Sequence, residues 1–208
     1  MWFIIPDYHI YIIMSNEMRV CLTKFCYRDK LITYILKEGD KVTERDTNSC
    51  MYLLDFHCPR YKELPDIGLY MDQVVHILDE VFVALYGVSS AITPSMINNY
   101  VKQGIIQPPV KKKYSRDHMA YLVVVCLLKQ IFTMSEICTL LEVQQRAKPV
   151  GESYDIFCGL LEKSLRYVVL RNEEDNPFLG SSDTYEAKLL RSSILAVAHT
   201  LYAKIMTA

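Results

Sequence analysis

The charged residues that are most informative about function lie near the middle of the chain, where an acidic segment is followed by a basic segment. Five acidic residues and no Lys or Arg lie between Glu63 and Val101. Five basic residues and no acidic residue follow up to residue 116. Because the whole chain has a net charge of −1, this positive segment would attract an anionic partner only at close range. The basic residues are Lys102, Lys111, Lys112, Lys113 and Arg116.

Sequence motifs for catalysis are missing. The chain has no Gly-rich phosphate loop, no His-Glu-x-x-His helix and no Gly-x-Ser-x-Gly elbow. Asp79 and Glu80 are adjacent carboxylates, but neighbours on a helix point about 100° apart and do not converge. A Cys–His nucleophile is formally possible, although nothing selects one pair. We therefore expect a protein that is not an enzyme and needs no cofactor.

The cysteines offer a second chemical possibility, which is a zinc site. Cys50, His57 and Cys58 could combine with Cys21 and Cys26 from upstream. Their spacing fits no standard pair of zinc ligands, and seven cysteines is an odd number. Unconnected, reduced thiols in a cytoplasmic protein are the favoured interpretation, with no metal bound.

The start of the chain and its apolar segments argue against a membrane protein. The longest apolar run, residues 119–128, is about half the length that a membrane-spanning helix needs. The first fourteen residues are apolar, but they lack a basic leader and a cleavage site. The first 45 residues lack a clear period, so our hypothesis is that part of this longer segment precedes the true start of the protein. Possible internal starts are Met14, Met18 and Met51.

Helices must position the charged segment, and their ends are visible in the sequence. With 51% hydrophobic residues, the chain can bury a sizeable core. From residue 71 to 85, apolar residues recur at three- and four-residue steps, which predicts a helix before a turn at Gly87. Thr93 and Pro94 then predict an N-cap and first position, and Gly104 predicts the end of a second helix. Its predicted inner face is Met96, Ile97, Tyr100 and Val101.

The rest of the chain predicts more helices around a loop. Pro108 and Pro109 cannot lie inside a helix, so the lysine run belongs to an extended loop or a small β-wing. A third helix is predicted from about Arg116 to Ile131, and Thr133 with Glu136 forms a capping box that opens a fourth. Two further apolar stripes predict a C-terminal pair of helices. In the first 45 residues, segments 20–27 and 30–36 favour strands, although a short helix is an alternative.

The sequence predicts a helix, a turn, a second short helix and a basic loop, in that order. This is the order of elements in a winged helix-turn-helix, whose second helix lies in the DNA major groove. The outward positions of that helix would be Ser95, Asn98, Asn99 and Lys102. Asparagine can bind adenine in a bidentate manner, and lysines on a wing would contact phosphates. A lysine run is also common in an ordinary solvated loop, and Tyr100 and Tyr114 fit core positions.

The same residues resemble a known family. The segment TPSMINNYVKQGII at 93–106, Pro108, the run KKYS at 112–115 and the upstream LPDI at 64–67 resemble the bacterial family called domain of unknown function 1836. That family is in turn similar to MerR-like winged-helix regulators. Their pattern of tyrosine, glycine, proline, basic wing and tyrosine corresponds here to Tyr100, Gly104, Pro108, Lys111 to Lys113 and Tyr114. Where MerR proteins usually carry arginines, this chain has Asn98 and lysines.

These observations predict a mainly α protein with a winged helix-turn-helix core and a C-terminal helical hairpin or bundle. We divide it into an N-terminal extension (1–62), a DNA-binding domain (63–147) and a helical dimerisation or effector region (150–208). The resemblance implies a MerR-like transcriptional regulator that binds double-stranded DNA. The apolar stripes that contain Leu165, Ile194 and Leu201 predict a homodimer interface, and the alternative is that both helices fold back on the rest of their own chain and leave a monomer. The alternatives are a protein-interaction module with the same fold and a small-molecule sensor with a pocket among the C-terminal helices. The predicted DNA contacts are Ser95, Asn98, Asn99, Lys102, Lys111, Lys112, Lys113, Tyr114 and Arg116.

Overall fold

The computed structural model describes residues 11–14, 20–27, 30–37, 50, 52–86, 92–179 and 184–207. They belong to two compact units, Met1–Thr47 and Asn48–Ala208. The first unit contains an antiparallel sheet of three strands in the order β1 (Tyr11–Met14), β2 (Val20–Tyr27) and β3 (Lys30–Lys37). The two predicted strands are confirmed as β2 and β3, whereas β1 was not predicted.

The second unit is helical, which confirms the mainly α prediction. Its third helix ends at Leu128, three residues before the predicted end, because the segment after it tightens into a turn. The turn predicted at Gly87 lies outside the described residues. Short 3₁₀ helices cover Tyr61–Glu63 and Glu173–Asp175. Residues 52–55 are also helical. The longer helices are α1 (Met71–Tyr86), α2 (Pro94–Lys102), α3 (Arg116–Leu128), α4 (Met134–Ala147), α5 (Val150–Leu170) and α6 (Tyr185–Thr207).

Helix α2 begins and ends as its sequence predicts. Thr93 is the N-cap, and its hydroxyl accepts a hydrogen bond of 3.3 Å from the backbone N–H of Met96. Gly104 follows the helix with φ of 75°, a left-handed conformation that favours glycine. Ile97 and Tyr100 are buried, and burial raises the pKa of Tyr100 to about 12. Met96 was predicted on the inner face, but 37% of it is exposed. That assignment was wrong because this short helix buries a narrow stripe.

Helix α3 lies at the centre of one hydrophobic core. Eight of its residues are buried, as expected for a helix that is apolar on all sides. The same core includes Leu53, Phe56 and Cys58, which precede the predicted boundary at residue 62. The helical unit begins near Asn48, and residues 63–147 and 150–208 share its core. The capping box of α4 is confirmed, because the backbone N–H of Thr133 donates to Glu136 Oε2 over 2.7 Å.

The apolar stripes of the C-terminal helices face the inside of their own chain. Ile194, Leu201 and Leu165 are completely buried, and so is Leu127 of α3. The sequence predicted that the first three would form a dimer interface. That assignment is corrected, because α5 and α6 pack on each other and on α3. A homodimer stays a prediction, and its surface cannot be this stripe.

The loop between α2 and α3 differs from the predicted β-wing. Two isolated β-bridges join Leu69 to Tyr114 and Val110 to Lys113. In the described part of the helical unit no longer strand accompanies them. The prediction of a wing made of strands is therefore wrong, and a tight turn closed by one bridge stands in its place. Pro108 and Pro109 contribute to this, because a proline has no N–H for pairing with a neighbouring strand.

Candidate nucleic-acid interface

The outer face of α2 carries polar side chains that water reaches. Ser95, Asn98, Asn99 and Lys102 are all exposed, and their spacing places them on one side of the helix. The side-chain amide of Gln103 donates a 3.2 Å hydrogen bond to Asn99 Oδ1, which orients that asparagine. The four predicted contact residues of this helix therefore share one accessible surface.

The lysine run forms a two-residue turn, which we call the lysine turn (residues 110–113). Val110 N–H donates to Lys113 O over 3.1 Å, and Lys113 N–H donates to Val110 O over 2.9 Å. Between them, Lys111 and Lys112 have φ of 50° and 63°. Two positive φ angles in a two-residue loop match a type I′ turn, which usually takes Asn-Gly. Side chains with a Cβ are strained in this conformation. The lysine turn adopts this strained conformation with Lys111 and Lys112 at its exposed tip.

The base of the lysine turn is held by the segment before α1. The Lys113 ammonium lies over the ring of Tyr70, 5.2 Å from its centre. A Cβ added to Gly68 would come within 3.0 Å of Lys113 Cβ and Cδ. Glycine at this position therefore lets the two segments approach each other closely. These roles of Gly68 and Tyr70 were not predicted from the sequence, although Pro65-Asp66-Ile67-Gly68 is a recognisable turn composition.

Tyr114 supports the turn from inside. It exchanges two backbone hydrogen bonds with Leu69, of 2.8 and 2.9 Å. Its side chain is only 3% exposed, and the ring meets that of His118 edge to face at 5.6 Å. Burial raises the pKa of the Tyr114 hydroxyl. The structure therefore places Tyr114 in the core that fixes the turn, rather than on the surface where it was predicted to contact DNA.

Arg116 is also used within the chain. Its Nε donates to the backbone oxygen of Leu64 over 3.0 Å, and its guanidinium lies 3.4 Å from Asp66. The same group lies 5.4 Å from the centre of the Tyr61 ring. Because these contacts occupy the guanidinium, we assign Arg116 to positioning the start of α3. Its predicted role as a DNA contact is not supported by this geometry.

Tyr61 joins this positioning group to α5, and no sequence pattern indicates this role. Its hydroxyl donates to Asp117 Oδ1 over 2.5 Å, which raises the pKa of Tyr61 to about 12. Its backbone N–H donates to Asp155 Oδ1 over 2.6 Å. A Cβ on Gly151 would lie 2.9 Å from the Tyr61 ring, so glycine is required there for this packing. The partners are distant in sequence, so no local pattern could have identified the contact.

The electrostatic character of the surface comes from four lysines. In the described part of the chain, none of Lys102, Lys111, Lys112 and Lys113 is within salt-bridge distance of a carboxylate. The acids of the preceding segment lie partly on α1, where Glu80 faces His76 at 3.6 Å. Among the described residues no carboxylate therefore pairs directly with these lysines, and their charge is available to an anionic partner.

The strain of the lysine turn gives a testable prediction. Replacing Lys111→Asn and Lys112→Gly together should raise the free energy of unfolding by about 1–2 kcal/mol, because both residues adopt positive φ readily. Urea unfolding would measure the change. The control is Lys111→Ala with Lys112→Ala, which removes the same charges but keeps the strain. An equal gain in the control would mean that charge, and not backbone conformation, determines the effect.

Comparison with known proteins agrees with the family resemblance. Residues 59–157 match the model of a family described as Domain of unknown function (DUF1836). The match covers α1 to α4, the lysine turn and the start of α5, and so includes the candidate surface. No curated protein and no solved structure matches the chain.

Two further features of the described residues bear on the sequence predictions. None of the helices in the described ranges has the length and apolar character needed to cross a bilayer. Among the same residues, no three His, Cys, Asp or Glu side chains converge where a metal ion could bind. The zinc alternative also involves Cys21 and Cys26, whose side chains lie outside the described part.

Proposed function

We propose that this protein is a DNA-binding transcriptional regulator of the MerR-like, helix-turn-helix type, in which the lysine turn stands in the place of a stranded wing. The observation that carries the proposal is the lysine turn, which follows α2 along the chain and exposes lysines that have no carboxylate within salt-bridge distance in the described residues. In this arrangement α2 lies in the major groove and the lysine turn contacts the phosphate backbone. The function is binding, with no reaction catalysed.

The two parts of the surface have different tasks. The exposed amides of Asn98 and Asn99 offer donors and acceptors to base edges, which gives sequence preference. The lysines offer point charges to phosphates, which gives affinity without sequence preference. Lys102, at the C-terminal end of α2, can contact either a guanine or a phosphate. Tyr114 and Arg116 act indirectly, because they fix the turn and the start of α3.

The role of Asn98 can be tested by substitution. Asn98→Ala should weaken binding to the preferred DNA site by about 1–3 kcal/mol, because one bidentate base contact is lost. Binding to random DNA serves as the control and should change little. Fluorescence anisotropy on both DNAs would measure the two affinities. An equal loss on both would assign Asn98 to phosphate binding or to folding.

The preferred site itself can be found by genome-wide capture of DNA bound to the tagged protein. Enrichment of a short sequence motif supports regulation.

A second candidate function is binding to another protein through the same surface, which exposed apolar side chains favour. Ile67 is 68% exposed, Tyr70 51% and Val110 71%, all next to the bridged segments. Co-purification of one protein without DNA would support this alternative.

We also propose that the regulator acts as a homodimer. One module reads only a short half-site, and two-fold operators require two copies about one helical turn apart. Sedimentation at micromolar concentration should give twice the chain mass of 24.1 kDa. A protein that stays monomeric with and without an inverted-repeat DNA would contradict the dimer, but it would not contradict DNA binding.

A further inference from the structure

Two buried cysteines from distant parts of the chain lie side by side in the helical unit. Cys58 belongs to the non-helical segment 56–60, and Cys158 lies within α5. Both side chains are completely buried, and both are free thiols. Their positions are 100 residues apart (158 − 58), so no local sequence pattern could have paired them.

Two hydrogen bonds hold the segment 56–60 against one turn of α5. The backbone N–H of Cys58 donates to Glu162 Oε1 over 2.9 Å. The thiol of Cys158 donates to the backbone oxygen of Pro59 over 3.7 Å. Because Cys158 and Glu162 are four residues apart on a helix, they lie on the same face of α5. The two bonds therefore place Cys58 directly against Cys158.

The two thiols are also in contact with each other. Cys58 forms a hydrogen bond with Cys158, and this bond together with burial raises the pKa of the Cys58 thiol. A disulfide needs sulfur atoms about 2.0 Å apart, so thiols that already hydrogen-bond need only a small side-chain movement to form one. The fold has therefore brought both sulfurs to the position from which they can be joined.

A positive charge lies beside the pair. The guanidinium of Arg60 donates to the backbone oxygen of Cys58 over 3.1 Å and to Glu162 Oε2 over 2.6 Å. The hydrogen bond to Glu162 raises the pKa of Arg60, and the sulfur of Cys158 adds a smaller contribution. A guanidinium near a cysteine stabilises the thiolate, which is the form that reacts with a disulfide. Arg60 can therefore assist an exchange reaction at this pair.

Burial determines when the thiols can react. Buried cysteines in the closed protein are protected from solutes, so reaction requires local opening. The segment 56–60 is not helical, and it can leave α5 by breaking the few hydrogen bonds described above. Such local openings cost less free energy than global unfolding. Opening would expose Cys58 first, while Cys158 stays in an intact helix.

We propose that Cys58 and Cys158 form a reversible disulfide, which is a redox-controlled cross-link between the segment 56–60 and α5. Cytosolic disulfides of this kind are usually transient and respond to redox conditions. The cross-link would hold Tyr61 on α5 and so maintain its hydrogen bond to Asp117 at the start of α3. The bond can be detected directly, so its test does not depend on the proposed function.

The oxidant is a low-molecular-weight disulfide such as oxidised glutathione. The Cys58 thiolate attacks one sulfur of oxidised glutathione, which forms a mixed disulfide and releases one reduced glutathione. The Cys158 thiolate then attacks the Cys58 sulfur and releases the second reduced glutathione. The two cysteines lose two electrons and two protons in total, and the two molecules of reduced glutathione carry them away.

The first test maps the bond in the full-length protein. The reduced chain is incubated with excess oxidised glutathione for about a day, because uncatalysed exchange takes minutes to hours. It is then alkylated and digested without reduction. Mass spectrometry should find the peptides of Cys58 and Cys158 joined, as the main disulfide within the helical unit, and dithiothreitol should separate them. In denaturing urea, the control, this pairing should no longer be preferred over others.

The second test measures stability with and without oxidation. Oxidation should raise the urea midpoint of the unmodified protein by about 1–2 M, because a cross-link over a long loop restricts the unfolded chain. Cys158→Ala lacks one partner and should show no rise. Cys126→Ala is the matched control, since it removes another buried thiol, in α3, and should keep the full rise.

Three results would overturn the proposal. They are the absence of joined Cys58 and Cys158 peptides after incubation, glutathione attached to either cysteine without a bond between them, and a urea midpoint that falls on oxidation. If Cys158→Ala does not fold, Cys58→Ala is judged by the same criterion. If neither variant folds, the peptide map of the unmodified protein decides, because it requires no substitution.

Discussion

Replacing Lys111, Lys112 and Lys113 together with Ala is expected to weaken DNA binding about 100-fold at about 0.1 M salt, and to do so equally on all sequences. Each lysine that contacts a phosphate releases condensed counterions, and this release gives both affinity and its dependence on salt. The slope of log affinity against log salt should flatten by about 0.9 for each lost contact, or about 2.7 in all. Anisotropy titrations over a salt series would measure it.

The matched control for this triple substitution is Lys129→Ala. Lys129 is exposed and directly follows α3, whereas the lysine turn precedes that helix. The two sites are therefore about 20 Å apart along the helix axis. The control should leave the affinity and the salt slope unchanged. If the triple variant binds as tightly as the unmodified protein in low salt, the lysine turn does not contact DNA.

Ile194→Asp is expected to destabilise the helical unit strongly rather than to leave a monomer of nearly full stability. Ile194 of α6 is completely buried within its own chain. The substitution leaves a cavity and an unpaired carboxylate in the core, which should cost at least about 4 kcal/mol of unfolding free energy. A domain of ordinary stability has about 5–15 kcal/mol in total. Circular dichroism and urea unfolding would measure the loss.

Tyr185→Asp is the control for this change, since Tyr185 lies on the same helix and is 67% exposed. It should keep nearly the full free energy of unfolding. Leu201→Asp, which is equally buried on α6, should behave like Ile194→Asp. A well-folded Ile194→Asp monomer would instead restore the dimer interface that the sequence predicted.

The sequence predicts the elements whose determinants are local. The cap at Thr93 and the left-handed Gly104 each depend on residues close by, so α2 has the start and the end that were predicted for it. The same holds for the capping box of Thr133 and Glu136. The apolar stripe of α1 is confirmed for the same reason, because its period requires no knowledge of the partner surface.

Features that depend on distant partners could not be predicted. An apolar stripe shows which face of α6 is buried, but it does not show whether the covering surface belongs to the same chain. Arg116 was assigned to DNA because its charge is visible in sequence, whereas its hydrogen bond to the Leu64 backbone is not. The left-handed Lys111 and Lys112 were missed because two lysines carry no turn signature.

The Leu69–Tyr114 bridge has a kinetic consequence. Its partners lie far apart in the chain, so α1 and α2 belong to a long loop that closes only when the bridge forms. Closing a long loop costs chain entropy, and contacts between distant segments form slowly. We expect the positive surface to be assembled late in folding. Local opening at this bridge would then disperse the lysines of the positive surface, while the rest of the helical unit stays intact.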